Sequence, residues 1–310
     1  MEKKLSPTTR RHFIRSSALL AGASGLITPP LLSAPQAHSQ ENAGETSGVG
    51  LAVATICTDG FANLHHKPAF RIIPKTGIQA VEFNLWYPEL LAPSYIDSIA
   101  SRCEKTGLVP ASIQGTSFGG EGHSAVMNDV AHKLCLMQIA KRLGCRRVKC
   151  TGSRRGTNGG LEHVIAVCRE LAPMAEELDV LLVLENHVGN VLERAEDYSE
   201  IFSSIDSTHV GMCLDTGHFE GAGISLPSIV DQFRNRIQHV DLKDARAFGK
   251  GHDTVKFGQG ITQFDPFLED LIEGGYTGYL VIEMAWKEPR EPLTENLREA
   301  RERFERFVQQ

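Results

Sequence analysis

The sequence predicts an α/β fold of the (β/α)8 TIM-barrel type, and three observations support this. Eight short runs rich in Val, Ile and Leu begin every ~30–40 residues, as the βα units of a barrel do. Segments with helical spacing separate these runs. Four of the later runs carry a carboxylate at or near their end, at Glu185, Asp215, Asp241 and Glu283. Carboxylates from four strand ends can converge only if the strands are parallel neighbours, which is the geometry of a barrel.

The predicted strands are apolar runs bounded by turn residues, as buried parallel strands are. They occupy residues 49–55, 79–84, 108–114, 146–151, 180–185, 209–214, 237–243 and 279–284. Between them, apolar residues such as Ile96, Ile99 and Cys103 recur at helical intervals. Glycines that suit helix C-caps precede several strands: Gly77, Gly107, Gly144 and Gly275. A doubly wound open sheet is the alternative fold, but no glycine-rich phosphate turn follows the first run.

The first 39 residues have the features of an export signal. Residues 9–15 (TRRHFIR) resemble the twin-arginine signal, and the apolar stretch from Ala18 to Ile27 is too short for a membrane span. Ala37-His38-Ser39 offers a cleavage site. We therefore expect a signal at 1–39, a linker at 40–48 and the barrel at 49–310. This predicts a periplasmic or extracellular protein with no stable membrane anchor after cleavage.

Charge argues against a nucleic-acid partner. The chain has a net charge of −6. Residues 1–39 hold five basic residues and one acidic residue, which leaves −10 for the rest. A phosphate backbone needs a basic face, and an acidic body lacks one. The seven cysteines form no CxxC pair and no zinc-type Cys/His spacing, so we expect them to be buried small residues.

The four carboxylates predict a divalent metal site, because side chains at the C-terminal ends of barrel strands face the active site. Alternation in IQHVDLKD places His239, Asp241 and Lys243 on one face, toward the barrel interior. A ring of carboxylates is an oxygen-rich site that suits Mn²⁺ or Mg²⁺. Such an ion can polarise a carbonyl, and two carboxylates can then remove and return a proton on the neighbouring carbon.

Several motifs carry a family resemblance. They are LENH at 184–187, LDTGH at 214–218, HVDLKD at 239–244 and the long segment 257–283. From about Val49 to Val308 the chain resembles the xylose-isomerase-like TIM-barrel superfamily. The matching branch is that of sugar phosphate isomerases and epimerases, which includes hydroxypyruvate isomerase, ketose 3-epimerases and inosose dehydratase. The resemblance implies Mn²⁺ as the first choice of cofactor, with Mg²⁺, Co²⁺ and Zn²⁺ as alternatives. It implies four metal ligands: Glu185, Asp215, Asp241 and Glu283.

The resemblance also implies roles for individual residues. Glu185 and Glu283 match the paired acid/base glutamates of the family. His218 matches a histidine that contacts substrate hydroxyls, and Arg246 lies near a substrate-binding arginine of many members. The sequence ENH recurs in dehydratase-like and lyase-like relatives, where the histidine corresponding to His187 acts as a base. The alternative for His187 is an ordinary hydrogen-bonded polar residue.

One ligand position departs from the family. Many relatives read His-x-His-x-Lys-Asp, and the second histidine binds metal, whereas this chain has Asp241 there. Four carboxylates around one ion leave excess negative charge, which Lys243 or a nearby histidine can offset. His239, on the same face, is the alternative ligand and otherwise a candidate substrate contact.

These features lead to competing functions. The first is a metal-dependent isomerase or epimerase of a ketose or keto-sugar. The second is a lyase or dehydratase that eliminates a group from a keto-sugar, keto-glycoside or inosose. The third is an exported barrel that binds sugar without catalysis. An endonuclease of the endonuclease IV type would need more histidines and a basic face. We expect a small carbohydrate as the partner. The sequence is compatible with a homo-oligomer.

Overall fold

The computed structural model describes residues 48–157, 159–286 and 292–308. The predicted export signal and all of the predicted linker except Gly48 lie outside these ranges.

Eight parallel strands close into a barrel, which confirms the TIM-barrel prediction. The barrel strands are β1 (Val49–Ala54), β2 (Ala80–Asn84), β3 (Val109–Gln114), β4 (Arg147–Thr151), β5 (Leu181–Glu185), β6 (Val210–Asp215), β7 (Ile237–Leu242) and β10 (Gly278–Ile282). Closure is made by β1 and β10, which pair from Val49↔Gly278 to Val53↔Ile282. No end of a predicted strand differs from the observed end by more than 2 residues.

Helices connect and cover the strands. They are α1 (Ile56–Asp59), α2 (Lys67–Ile72), α3 (Pro93–Thr106), α4 (Gly122–Leu143), α5 (Gly160–Leu178), α6 (Ala195–Ser204), α7 (Thr216–Gly221), α8 (Leu226–Phe233), α9 (Phe264–Glu273) and α10 (Leu293–Phe304). On α3 the predicted apolar set of Ile96, Ile99 and Cys103 is buried. This helix ends at Gly107 with φ 69°, a left-handed conformation that glycine adopts without steric cost.

The upper part of the barrel interior is charged. Strand residues that face the helices are apolar and fully buried, for example Val148 and Val240. Three side chains inside the barrel are polar and also fully buried: Glu82, Lys149 and His239. Buried charges must be paired or bound to metal, so this interior network sets the electrostatics of the strand ends above it.

A short antiparallel pair follows β7 and was not predicted. It consists of β8 (Asp244–Ala245) and β9 (Thr254–Val255), with residues 246–253 between them. Strands of two residues have no detectable sequence period, which explains why the pattern gave no sign of them.

Two further expectations concern the burial of the cysteines and the presence of a membrane-spanning helix. All seven cysteines lie within the described residues and are free, and all but Cys135 are buried. No helix in the described part of the chain has the length and apolar character needed to cross a bilayer.

Candidate active site

Four carboxylates converge at the C-terminal end of the barrel. One oxygen from each of Glu185, Asp215, Asp241 and Glu283 lies within 4.8 Å of the others. All four side chains are buried. In a six-coordinate oxygen site with ligand distances typical of divalent cations, opposite oxygens lie about 4–5 Å apart. The spacing of this carboxylate cluster therefore suits a single divalent ion.

Lys149 on β4 contacts the cluster from below. Its Nζ lies 2.6 Å from Asp241 Oδ2 and 2.8 Å from Glu283 Oε2. It also lies 2.8 Å from Glu82 Oε1, so one ammonium group meets three carboxylates. Burial opposes the charge of Lys149, but these carboxylates raise its pKa well above the usual value. Lys149 is therefore a permanent cation inside the barrel.

Lys243 supplies a second ammonium group. Its Nζ lies 2.6 Å from Asp215 Oδ2 and 2.9 Å from Glu283 Oε1. Its pKa is also raised, because Asp215 and Glu283 outweigh the effect of burial. Lys149 and Lys243 together occupy both oxygens of Glu283, and they hold its pKa below the usual range although burial acts in the other direction. Glu283 is thus held ionised.

Negative charge still exceeds positive charge at this end of the barrel. Burial, together with the nearby carboxylate of Glu283, raises the pKa of Glu185 to about 8 although Lys149 acts in the other direction. Burial likewise raises the pKa values of Asp215 and Asp241. Five carboxylates face two ammonium groups, which leaves a formal excess of three negative charges. The five are Glu82, Glu185, Asp215, Asp241 and Glu283.

A divalent cation fits this donor set. It would reduce the formal excess to one negative charge and stabilise the ionised form of carboxylates that otherwise take up protons. Asp241 Oδ1 is buried and has no hydrogen-bond partner among the described residues, and His239 Nε2 lies 3.6 Å from it. A buried, unpartnered carboxylate oxygen is a ready ligand for a metal ion.

The ENH sequence positions three different side chains. Glu185 ends β5 and accepts a hydrogen bond from Gln114 Nε2 at 3.2 Å. Asn186 joins the ends of β5 and β6, because its side chain accepts from Asp215 N and donates to Asp215 O. His187 lies above them and lines the cavity described below. Asn186 therefore fixes Asp215 relative to Glu185.

The LDTGH sequence holds β6 against β7. Asp215 caps α7 by accepting the N–H of His218 at Oδ1, at 2.9 Å. Thr216 Oγ1 accepts the N–H of Lys243 and donates to Lys243 O. A Cβ on Gly217 would lie 2.7 Å from Lys243 Cγ, so only glycine leaves room for the lysine stem. The motif thus positions both Asp215 and the ammonium group that contacts it.

Asp244, the last residue of HVDLKD, organises the next loop. Its carboxylate accepts the backbone N–H groups of Gly258, Gly260 and Thr262. It is a structural carboxylate and does not belong to the carboxylate cluster.

Two predicted substrate contacts lie away from the cavity. His239 is fully buried, and its Nε2 lies 3.0 Å from Glu82 Oε2, one layer below Asp241. Arg246 is 53% exposed at its side chain and pairs with Asp253. Neither residue lines the cavity, whereas His187 and His218 do.

A cavity of about 370 Å³ opens above the carboxylate cluster. Glu185, Glu283 and Lys243 lie among its lining residues, together with three histidines. At its mouth Phe61 stacks on Trp86, with ring centroids 5.8 Å apart. Burial, followed by the charge of Lys243, lowers the pKa of His187 to about 4, so this imidazole is neutral at pH 7.

Some of these residues were not identified from the sequence. In the sequence, Lys149 is one of several polar residues near strand ends, and no spacing marks it as the contact of three carboxylates. Phe61, Trp86 and His252 lie in loops, where periodicity carries no information. A signal existed only for Lys243, which shares a face of β7 with Asp241.

The chain belongs to the xylose isomerase-like TIM-barrel family, whose model matches residues 70–307. It is 30% identical over 146 residues to an inosose dehydratase of Geobacillus kaustophilus, a match that covers 42% of this chain and 47% of that protein. The matched segment therefore spans about half the length of the curated relatives.

Solved structures share the fold. The IOLI protein with a bound zinc atom superposes with a TM-score of 0.69 at 21% identity, covering 84% of this chain and 100% of that chain. A D-tagatose 3-epimerase-like protein gives a TM-score of 0.68 at 19% identity, with coverage of 84% and 98%. At these identities the likeness supports the barrel and not a particular reaction.

Proposed function

We propose that the protein is a divalent-metal-dependent isomerase or epimerase of a ketose or keto-sugar, which moves a proton on the carbon next to the carbonyl. The observation that supports this most is the contrast between two carboxylates at one cavity. Glu283 is held ionised by two ammonium groups. Without a bound cation, burial raises the pKa of Glu185 to about 8, so Glu185 takes up a proton more readily than Glu283, and a bound cation would lower both pKa values. A pair of carboxylates whose pKa values differ in this way is typical of acid/base catalysis.

Each residue has a defined task in this proposal. The carboxylate cluster holds the metal, and a bound divalent cation supplies polarisation of the substrate carbonyl. Glu185 and Glu283 lie on β5 and just after β10, which β6 and β7 separate, so they reach the cavity from different directions. One can remove a proton while the other returns one. Gln114 orients Glu185, and Lys149 and Lys243 keep Glu283 charged.

The cavity suits a small polyhydroxylated molecule. Its volume of about 370 Å³ is at the lower end of the range for ligand pockets. Its base is formed by charged groups, and His218 lies beside them to contact substrate hydroxyls. Structural neighbours include epimerases named for sugars. We also propose export by the twin-arginine pathway, which places the substrate outside the cytoplasm.

Elimination is the second candidate, because His187 is a neutral imidazole at the cavity. Its lone pair is free at pH 7, as a lyase base requires, although a pKa of about 4 makes it a weaker base than an ordinary histidine. The curated relatives with partial matches are named inosose dehydratase. Elimination starts with the same proton removal and differs only in that a leaving group departs from the next carbon.

The test is turnover in D₂O, followed by NMR, with Mn²⁺ or with EDTA. The substrates are free ketoses, 3-keto-glycosides and inososes. Isomerisation or epimerisation incorporates solvent deuterium at a sugar carbon without loss of a substituent, whereas elimination releases water or an alcohol. Turnover that persists in EDTA, or no turnover with any substrate, would contradict the proposal.

Variants assign the acid/base pair. Glu185→Gln and Glu283→Gln should each lower kcat at least about 100-fold, the usual contribution of a general acid or base. The matched control is Glu299→Gln, which removes an exposed carboxylate that pairs with Lys256 on the surface. Wild-type turnover by either glutamine variant would remove that glutamate from the mechanism.

A further inference from the structure

Three imidazoles meet in the wall of the cavity. The ring centroids of His187 and His218 are 3.9 Å apart, those of His187 and His252 are 4.7 Å apart, and those of His218 and His252 are 5.3 Å apart. One ring nitrogen from each lies within 4.8 Å of the others. We call these three residues the histidine cluster. They come from three separate segments, after β5, in α7 and between β8 and β9.

Hydrogen bonding leaves one ring nitrogen available to bind a metal ion on each of His187 and His218. His187 Nδ1 lies 3.3 Å from Val188 O and so carries the proton, which leaves Nε2 as a lone-pair donor. His218 is 3% exposed, and its Nδ1 is buried with no hydrogen-bond partner among the described residues. A Cβ on Gly251 would lie 3.4 Å from that Nδ1, so the nitrogen is directed at the chain next to His252.

The second nitrogen of His218 lies near a carboxylate. Its Nε2 lies 4.0 Å from Asp215 Oδ2. Histidine ligands commonly direct their other N–H at a carboxylate or a backbone carbonyl, which fixes the tautomer. His187 meets this condition through the Val188 carbonyl and His218 approaches it through Asp215. An unpaired buried nitrogen costs free energy unless something binds it.

We propose that the histidine cluster is a second metal site, which binds one transition-metal ion such as Zn²⁺ or Co²⁺ and leaves a fourth position open toward the cavity. Imidazole ligands suit these borderline ions, whereas the carboxylate cluster suits harder ions such as Mg²⁺ and Mn²⁺.

The geometry requires only a small adjustment. Rings around one tetrahedral ion with Zn–N bonds of about 2.0–2.1 Å have centroids about 5 Å apart. Two of the three observed separations are close to this, and the 3.9 Å separation of His187 and His218 must widen by about 1 Å. His252 is exposed and lies in the 246–253 segment, so it can move toward the other two.

The site has a consequence for the reaction. An ion bound to His187 occupies the nitrogen that would otherwise accept a proton. Occupancy of the histidine cluster and the use of His187 as an elimination base therefore exclude each other. The ion would also attach the segment between β8 and β9 to the ends of β5 and β6. In this position the segment covers one side of the cavity. The ability of the histidine cluster to bind metal does not depend on the proposed isomerase activity.

The experiment is a Co²⁺ titration of the metal-free full chain, followed by visible absorption and by metal analysis after gel filtration. Four-coordinate Co²⁺ bound by imidazoles absorbs far more strongly in the visible than six-coordinate Co²⁺ bound by carboxylates. We expect the strong bands in the wild type and in Asp241→Asn. His252→Gln should lose them and bind the ion at least about 100-fold more weakly, because loss of a supporting partner alone costs 10–100-fold. The control, His123→Gln, removes another exposed histidine and should keep the bands.

The outcomes separate the two metal sites. Absence of strong bands in the wild type, or their retention in His252→Gln, would overturn the histidine site. Failure of the carboxylate site has a different signature, in which the wild type binds no Mn²⁺ while the cobalt bands persist. Since His252 is exposed, its replacement should not prevent folding, and circular dichroism of the variant checks this.

Discussion

Replacing Lys149 by Met removes the ammonium group that contacts Asp241, Glu283 and Glu82 at 2.6–2.8 Å. The three carboxylates stay buried, and the formal excess of negative charge around them grows from three to four. Methionine fills a similar volume, so the loss is chiefly electrostatic. We expect the variant to be less stable without metal and to gain more from a divalent ion than the wild type does.

The magnitude follows from the burial of the pairs. Removing one partner of a fully buried ion pair costs about 3–5 kcal/mol. A barrel of about 260 residues has an unfolding entropy near 0.55 kcal/mol/K at its midpoint, so Tm should fall by about 5–9 °C. An ion at 100 times its Kd stabilises the native state by about 2.7 kcal/mol, or about 5 °C. Without the competing ammonium group, Mn²⁺ should bind more tightly and restore most of the loss.

The assay is thermal unfolding followed by circular dichroism, in EDTA and in Mn²⁺. Lys133→Met is the matched control, because Lys133 is also fully buried and its Nζ pairs with Asp129 at 2.6 Å instead of with the carboxylate cluster. That variant should also lose stability, but Mn²⁺ should raise its Tm no more than that of the wild type. The reasoning is refuted if Lys149→Met in EDTA is as stable as the wild type, or if Mn²⁺ rescues both variants equally.

Two further predictions concern single carboxylates. Asp241→Asn should lower Mn²⁺ content measured by elemental analysis, whereas His239→Ala should keep it, since His239 contacts Glu82 instead of the cavity; the reverse result makes His239 the ligand. Burial raises the pKa of Asp59 from 3.8 to about 6, so the protonated form is favoured by folding. That contribution, about 3 kcal/mol, is full below pH 4 and is lost as the pH rises through 6. In urea unfolding, stability should fall between pH 4 and 8 by about 3 kcal/mol more in the wild type than in Asp59→Asn, which keeps the contribution of Glu185; equal slopes would contradict this.

Much of the fold could be predicted because parallel strands buried on both faces form continuous apolar runs. These runs are visible without knowledge of the partners of each strand. The placement of Glu185 and Asp215 followed in the same way, since the end of a strand in a barrel is also the edge of the active site. Alternation along β7 correctly placed His239, Asp241 and Lys243 inside the barrel.

What could not be predicted depends on distances across the barrel. Lys149 and Glu283 are 134 positions apart, and nothing in either segment indicates that they form an ion pair. The position of His252 depends on a loop held by two-residue strands and by the hydrogen bond from Arg246 N to Asp253 O. Arg246 looked like a substrate contact by its place in the chain, yet it pairs with Asp253 outside the cavity. The reaction itself also depends on loops, which set the specificity of barrel enzymes.

The carboxylate cluster is most directly tested by anomalous diffraction from crystals grown with Mn²⁺. The account predicts one manganese peak within about 2.0–2.4 Å of carboxylate oxygens. The expected ligands are Glu185, Asp215, Asp241 and Glu283. A contradictory result would be no peak at this position at saturating Mn²⁺, with the Nζ atoms of Lys149 and Lys243 keeping the ion pairs described above.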